Sequence, residues 1–168
     1  MPVVFDASFL IPLLDPKVQG VNNDPRIEYL FRTLDRQHTQ IIIPTPALSE
    51  VLIGAGEAAP KYLEIINRSS RFRVASFGER AAVEAAAAHR EMIDAGNKKE
   101  TGEIWAKVKF DRQIVAIAKV EGADCIYSND QDIAKYAKRE GILVISIPDL
   151  PTPPKDEPAA QRDMFGTE

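Results

Sequence analysis

The chain of 168 residues is 45% hydrophobic and 27% charged with a net charge of -4, which is typical of one soluble globular domain and argues against a generally basic nucleic-acid coat protein. Its longest apolar runs fall far short of the ~20 residues that span a bilayer, and no basic segment precedes the first of them, so we expect neither a membrane partner nor a signal peptide. Its single cysteine, Cys125, cannot form an internal disulfide, and we expect a buried thiol in a cytoplasmic protein.

The first part of the chain predicts alternating strands and helices. "VVFD" is typical of a short buried strand with Asp6 at its end, and "ASFLIPLLD" predicts a short apolar helix that Pro12 interrupts. Residues 16–24 have the composition of a loop. From Pro25 the apolar residues recur at the spacing of an amphipathic helix, and "QIIIP" after it predicts a second buried strand.

The second part of the chain continues this alternation. "TPALSEVLIGAG" predicts a helix that closes at Gly54 or Gly56, followed by helix "PKYLEIINRSS", strand "FRVASF" and a long alanine-rich helix that ends at Gly96. The polar segment 97–109 predicts a loop with room for a short helix, so the next helix begins at Asp111. Strand "DCIYS", helix "QDIAKYAKRE" and strand "ILVISI" complete the pattern.

Helices that alternate with continuous apolar strands indicate an α/β fold with a central, mostly parallel sheet. We assign residues 1–150 to this domain. Residues 151–168 are rich in proline and charge, and we expect them to form a flexible tail or a partner-binding arm. Ligands bind at the carboxyl ends of parallel strands, which directs attention to the polar residues that follow each strand.

Four acidic residues are expected around this edge of the sheet. Asp6 and Asp130 follow strands, and Asp111 shares a helix face with apolar residues such as Ile114, so its side chain should project inward. Glu50 lies on a helix that is apolar almost all round, which predicts a buried helix. A buried Glu50 would need a partner, and either a basic side chain or a functional cation would serve.

Each acid taken alone also has a structural interpretation. Asp111, Asp130 and Asp132 are more often helix caps or first-turn residues than catalysts, and Asp6 is placed to cap the helix that follows it. Their joint pattern changes this balance. Two carboxylates about 4 Å apart repel by ~4 kcal/mol at an effective dielectric of 20, against a total domain stability of roughly 5–15 kcal/mol. Such a cluster favours a divalent cation, and oxygen ligands favour Mg²⁺ or Mn²⁺.

At these residues the sequence resembles the PIN-domain ribonucleases, and among them the VapC-type toxins of toxin–antitoxin pairs. The matching segments are "FDAS", "TPALSEVL", "DRQIVAIA" and "YSNDQDI", and the likeness covers residues 1–147, although Ile133 stands where the family has an aromatic residue. The resemblance implies four metal-binding and catalytic acids: Asp6, Glu50, Asp111 and Asp130. It implies supporting roles for Ser8, Ser128, Asn129 and Asp132, and leaves open whether Asp130 or Asp132 is the closer ligand.

The resemblance further implies a three-layer α/β/α domain, a Mg²⁺- or Mn²⁺-dependent endoribonuclease activity on RNA, a cognate antitoxin and a homodimer. Lys107, Lys109 and Arg112 lie beside Asp111 and are candidates for contacts with RNA phosphates, although solvated helix charges are as good an interpretation of each. Trp105 fits either a base-stacking role or a packing role.

Three alternatives belong to other functional classes. A response-regulator receiver domain needs paired acids after the first strand and a lysine after the last one, and a haloacid-dehalogenase-like phosphatase needs a second Asp two residues after Asp6; the sequence has neither pattern. A PIN fold that binds RNA or serves as a scaffold, with little or no nuclease activity, remains open.

Overall fold

The computed structural model describes residues 1–15, 24–96 and 105–155, with only the backbone of 105–108. The predicted loop at 16–24 and tail at 151–168 therefore lie mostly outside the described residues. The elements within these ranges, in chain order, are β1 (Val3–Phe5), α1 (Ala7–Leu14), α2 (Pro25–Arg36), β2 (Ile41–Pro44), α3 (Thr45–Ala55), α4 (Ala59–Arg68), β3 (Phe72–Ala75), α5 (Glu79–Asp94), α6 (Trp105–Val120), β4 (Cys125–Tyr127), α7 (Gln131–Arg139) and β5 (Leu143–Ile145).

The five strands form one sheet in the order β3-β2-β1-β4-β5, and every pairing is parallel. Helices flank the sheet, which confirms the expected three-layer α/β/α architecture. From β1 the chain builds β2 and β3 on one side and then returns to place β4 on the other side of β1. The carboxyl ends of β1 and β4 therefore lie at the switch point of the topology, where open α/β sheets form their ligand crevices.

The core lies on the central strands, and the edge strands are only partly buried. Every residue of β1, β2 and β4 is buried, whereas β5 exposes Leu143 to 61% and β3 exposes Val74. The strand predicted at "ILVISI" is present, but its apolar run is only partly buried. A strand at the edge of the sheet has a neighbour on one side only, and apolar composition alone does not reveal that position.

Two helix predictions were wrong. Pro12 does not interrupt α1, which runs from Ala7 to Leu14 with Pro12 inside it. The missing hydrogen bond falls near the end of a helix that buries Leu10, Leu13 and Leu14, so packing offsets its loss.

Helix α6 begins at Trp105 rather than at Asp111. Ala, Lys and Val in its first turn are compatible with a helix, so the helix allowed for within segment 97–109 is continuous with the one expected from Asp111, while residues 97–104 lie outside the described residues. Asp111 is thus an interior residue of α6, which removes the helix-cap interpretation of this side chain.

The predicted domain boundary at residue 150 falls within the described residues. Leu150 is buried, and residues 151–155 have no regular helix or strand. The division at residue 150 stays a prediction, because residues 156–168 lie outside the described residues. Cys125 is buried as expected, and burial raises the pKa of its thiol. Among the described helices, none has both the length and the apolar character needed to cross a membrane.

Candidate metal centre

A pocket of about 250 Å³ opens at the switch point between β1 and β4. All four acids singled out in the sequence contribute to its wall, although they come from four separate parts of the chain. Asp6 follows β1, Asp130 follows β4, and Glu50 and Asp111 project from α3 and α6. The described residues that line the pocket are Asp6, Ala7, Ser8, Pro46, Glu50, Phe110, Asp111, Ile114, Asn129, Asp130 and Ile133.

Asp6 is held by several hydrogen bonds and is only 5% exposed. Its Oδ1 accepts hydrogen bonds from the backbone N–H of Ser8 at 2.8 Å and from the Ser8 hydroxyl at 2.6 Å. The Ser128 hydroxyl donates to its Oδ2. Asp6 is therefore the N-cap of α1 as well as a pocket residue, and its carboxylate is fixed from both oxygens.

Burial and hydrogen bonding act in opposite directions on Asp6. Loss of water raises the pKa of its carboxyl above the ordinary value, and the hydrogen bonds from Ser128 and Ser8 oppose this rise. Metal ions carry positive charge, so a cation nearby would favour the ionised form. The site thus holds an acid that is costly to ionise on its own and already oriented by hydrogen-bond donors.

Asp111, Asp130 and Asp132 form the closest group of carboxylates. Each offers one oxygen, and these three oxygens lie within 4.8 Å of one another. Asp111 is the most buried of the three and is only 6% exposed. At this separation each ionised pair repels by roughly 3–4 kcal/mol at an effective dielectric of 20. A cation between these carboxylates, or protons shared among them, would offset this repulsion.

Asp130 combines a capping role with its place in the pocket. Its Oδ1 accepts from the backbone N–H of Asp132 at 2.8 Å, so it is the N-cap of α7, and its own N–H donates to the Ser128 hydroxyl at 2.9 Å. Asp132 lies in the first turn of α7. The structural and functional interpretations of Asp130 therefore coexist, because the residue caps α7 and lines the pocket at the same time.

Asn129 connects three loops around the site. Its backbone N–H donates to the Ser8 hydroxyl at 3.0 Å, and its Oδ1 accepts from the backbone N–H of Ile147 at 2.9 Å. Because the Ser8 hydroxyl in turn donates to Asp6, the loops after β1, β4 and β5 share one hydrogen-bonded network. Such networks orient the carboxylates that would bind a metal ion, which suits the supporting role expected for Ser8, Ser128 and Asn129.

Glu50 lies in the pocket wall, but the reason expected for it was wrong. Helix α3 is buried on one face only: Pro46, Ala47 and Val51 are buried, whereas Glu50 is exposed and Ile53 is 80% exposed. The apolar composition of the helix did not mark a fully buried element. Glu50 is therefore a solvated carboxylate at the rim, and its position demands no ion-pair partner.

The predicted phosphate-binding residues do not stay together. Arg112 lies in the α5–α7 cleft, a separate pocket of about 210 Å³ between α5, α6 and α7, where its guanidinium sits 5.0 Å from the ring centroid of Tyr136 and contacts His89. The expected role of Arg112 beside Asp111 is therefore not supported, because adjacent helix residues point about 100° apart. Lys109 is exposed, and the side chains of Lys107 and Trp105 lie outside the described residues.

The donor set fits a hard divalent cation. The group Asp111, Asp130 and Asp132 offers only carboxylate oxygens, and the pocket adds the oxygens of Asp6 and Asn129 without any described His or Cys. Mg²⁺ and Mn²⁺ prefer such ligands, whereas Zn²⁺ sites are usually built with nitrogen or sulfur. The three carboxylates are close enough to share one ion.

Sequence reasoning missed the apolar part of the pocket. Pro46 and Ile114 are buried there beside Ile133, and Phe110 is 48% exposed. The only signal in the sequence was an aromatic residue directly before Asp111, which the expectation of a loop at 97–109 obscured.

Comparisons with known proteins agree with the fold. The sequence model of the PIN domain family matches residues 3–139. Solved structures with the same fold include VapBC2 from Rickettsia felis bound to a promoter DNA fragment, with 15% identity and a TM-score of 0.62, and DNA-bound VapBC from Salmonella typhimurium, with 19% identity and a TM-score of 0.59. Each alignment covers 87% of this chain and 98% of the other.

A third similar structure is VapC20 of Mycobacterium tuberculosis, described as a toxin that cleaves the sarcin-ricin loop. It is 16% identical with a TM-score of 0.54, over 79% of this chain and 93% of that one. No curated protein sequence matches the chain. At these identities the structural likeness establishes a shared fold.

Proposed function

Because this chain belongs to the PIN domain family, we propose that it is a Mg²⁺- or Mn²⁺-dependent endoribonuclease and the toxin of a toxin–antitoxin pair. The observation that carries the proposal is the gathering of Asp111, Asp130 and Asp132 within 4.8 Å, at the edge of a pocket that Asp6 and Glu50 also line. The membership of the PIN domain family and the likeness in fold to VapC20, a toxin that cleaves the sarcin-ricin loop, support a nuclease activity.

The positions of the pocket residues suggest a separate role for each group of side chains. Asp111, Asp130 and Asp132 would hold the cation, with Asp6 as a further ligand and Glu50 at the rim. When bound, such a cation draws electron density from the phosphodiester and offsets the negative charge that develops as the P–O bond breaks. Ser8 and Ser128 orient the Asp6 carboxylate, and Asn129 fixes the loop that carries Asp130.

The decisive experiment is a cleavage assay on single-stranded and structured RNA with purified protein. We expect cleavage with Mg²⁺ or Mn²⁺ and none in excess EDTA. Full activity in EDTA would reject the proposal. Tight RNA binding without cleavage at any metal concentration would instead favour the second candidate function, a PIN-fold RNA-binding or scaffold protein.

The biological role needs a separate test. The fold is shared with chains solved as VapBC complexes, which supports a cognate antitoxin for this chain. We expect induced expression to arrest growth, and Asp6→Asn to relieve the arrest at equal protein level. A small protein encoded beside this gene should copurify with the chain and suppress its RNA cleavage. Unimpaired growth on expression of the active protein would separate a housekeeping nuclease from a toxin.

A homodimer is part of the same proposal. Helix α5 buries only Ala81 among its described residues and exposes Val83 and Ile93, which a second copy of the chain would cover. Light scattering should give twice the chain mass. A monomer at micromolar concentration that still cleaves RNA would remove the dimer from the proposal and leave the chemistry unchanged.

A further inference from the structure

The apolar wall of the acidic pocket is not explained by metal binding. Carboxylates and a cation form an ionic site, and a phosphodiester held there presents charged oxygens. Pro46, Ile114 and Ile133 nevertheless line the same pocket, together with the ring of Phe110. A nucleotide has both kinds of surface, because its phosphate is ionic and the faces of its base are apolar. The pocket therefore matches a whole nucleotide better than a phosphate alone.

Phe110 is the exposed residue of this apolar wall. It is 48% exposed, whereas Ile114, one helical turn further along α6, is 3% exposed. The other exposed large apolar residues among those described, such as Ile53, Val83 and Leu143, are absent from the lining of the acidic pocket. Phe110 directly precedes Asp111, so its ring is held at the mouth of the pocket by the same helix that carries the most buried acid of the carboxylate cluster.

We propose that Phe110 is a stacking platform for an unpaired nucleobase next to the scissile phosphate. The proposal rests on the proposed ribonuclease function and adds a specificity-determining residue to it. Every base has a π-face, so stacking on a phenyl ring tolerates any sequence, but a base within a duplex has both faces covered. Phe110 therefore selects an unpaired nucleotide at the cleaved position rather than a particular base.

The apolar surface of Phe110 has two other conceivable occupants, which are a second copy of this chain and a segment of an antitoxin. Neither accounts for the ring sharing a pocket with the carboxylates. The experiment separates all three, because only stacking makes the effect of Phe110 depend on the base in the substrate.

The experiment is a thermodynamic cycle in which the Phe110 ring and the base of the substrate are removed separately and together. Cleavage by the wild type, Phe110→Leu and Phe110→Trp is measured on a short single-stranded RNA and on the same RNA with an abasic ribose on either side of the cleaved bond. Phe110→Leu should lower kcat/KM on the intact RNA about five- to 150-fold, which corresponds to ~1–3 kcal/mol, mainly through KM. On the RNA that lacks the stacked base it should cause no further loss, and Phe110→Trp should keep kcat/KM within about twofold of the wild type.

Leu143→Ala is the matched control, since Leu143 is an exposed apolar residue outside the pocket, and it should leave cleavage of both RNAs unchanged. An equal loss for Phe110→Leu on intact and abasic RNA overturns the proposal, as does no loss at all. A loss that tracks dissociation of a dimer in light scattering, and that disappears at high protein concentration, also overturns it in favour of a subunit contact. If the wild type cleaves RNA while ring and base show no coupling, only Phe110 loses its role. If the wild type cleaves no RNA, the ribonuclease function falls and this proposal with it.

Discussion

Asp111 and Arg112 are neighbours on α6, yet they serve two regions of the molecule with opposite electrostatic designs. Asp111 faces the acidic pocket at the switch point of the sheet, and Arg112 faces the α5–α7 cleft. Both regions are pockets of similar size, about 250 and 210 Å³, and both contain several charged side chains. They differ in the charges of the described residues in their walls, which carry both signs in the α5–α7 cleft and one sign in the acidic pocket.

In the α5–α7 cleft the chain balances its own charges. The Lys119 ammonium lies 2.8 Å from a Glu84 carboxylate oxygen and 2.7 Å from one of Glu140, and these contacts raise the pKa of Lys119. The Arg112 guanidinium lies over the Tyr136 ring and donates to the Met92 sulfur at 3.4 Å. Charges arranged in this way join three helices and require nothing from outside the protein.

In the acidic pocket the chain gathers charges of one sign. Four carboxylates line it, and none of the described residues in its wall is a lysine or an arginine. Both regions contain several charged residues, so the number of charged residues alone does not indicate a functional site. Charges that are balanced locally hold helices together, whereas like charges that converge mark a place where a cation from solution is expected.

The largest expected effect is the difference in RNA cleavage between variants of Asp111 and of its neighbour Arg112. Asp111→Asn should lower RNA cleavage at least about 100-fold, because it removes a charge that holds the cation where the transition state gains negative charge. Arg112→Gln should keep the cleavage rate of the folded protein and lower the free energy of unfolding by ~1–2 kcal/mol, through loss of its contacts with Tyr136 and Met92. Cleavage assays and urea denaturation of both variants provide the test. Equal losses of cleavage in the two variants would contradict the separation into a functional acidic pocket and a structural α5–α7 cleft.

A divalent cation should stabilise the wild type and leave Asp111→Asn nearly unaffected. At a Mg²⁺ or Mn²⁺ concentration 100 times the Kd, the free energy of unfolding should rise by ~2.7 kcal/mol, measured as a higher Tm in calorimetry. Arg112→Gln is the control and should respond as the wild type does. A similar rise in Tm for Asp111→Asn would show that the ion binds elsewhere.

The effect of pH on Asp6 should have opposite signs without and with the cation. Burial raises the pKa of Asp6 above its unfolded value near 3.8, so the folded protein holds this proton more tightly than the unfolded chain does. In metal-free protein the resulting stability is present at low pH and is lost as pH rises through the folded pKa. Cation binding needs the ionised carboxylate, so the metal-dependent rise in Tm should shrink as pH falls.

Asp6→Asn isolates this contribution. The variant should have a higher Tm than the wild type in metal-free buffer at neutral pH, because it removes the cost of ionising a buried carboxyl. It should also fail to cleave RNA and gain less stability from Mg²⁺. Ser8→Ala and Ser128→Ala, which remove donors to Asp6 and keep its charge, should instead lower the metal-free Tm. A lower Tm for Asp6→Asn than for these two variants would argue against the ionisation cost.

The smallest effect is expected in the α5–α7 cleft. Lys119→Met removes both contacts of Lys119 while keeping most of its apolar stem, and it should lower the free energy of unfolding by ~0.5–1 kcal/mol because these carboxylates are partly solvated. High salt should reduce the difference from the wild type, and RNA cleavage should not change. Loss of cleavage in this variant would show that the cleft is part of the site.

The sequence was sufficient for features that depend on a few consecutive residues. Buried apolar runs at β1, β2 and β4, and the glycines that close α3 and α5, carry their information locally, so the order of elements and the parallel sheet could be predicted. The positions of Asp6 and Asp130 after strands followed from the same pattern. The boundary at Asp111 was wrong because the polar composition of residues 105–109 fits both a loop and a helix.

The tertiary structure alone decided which side of each helix is covered and which carboxylates meet. Glu50 and Ile53 belong to an apolar helix, but their exposure depends on elements distant in the chain that pack on one side of α3 and leave the other open. Packing between distant elements also decides three other features: Asp111 and Arg112 face different pockets, Asp132 lies near Asp111, and Phe110 is exposed. Periodicity is a short-range property of the backbone, whereas burial and carboxylate distances arise from packing between segments that no local pattern specifies.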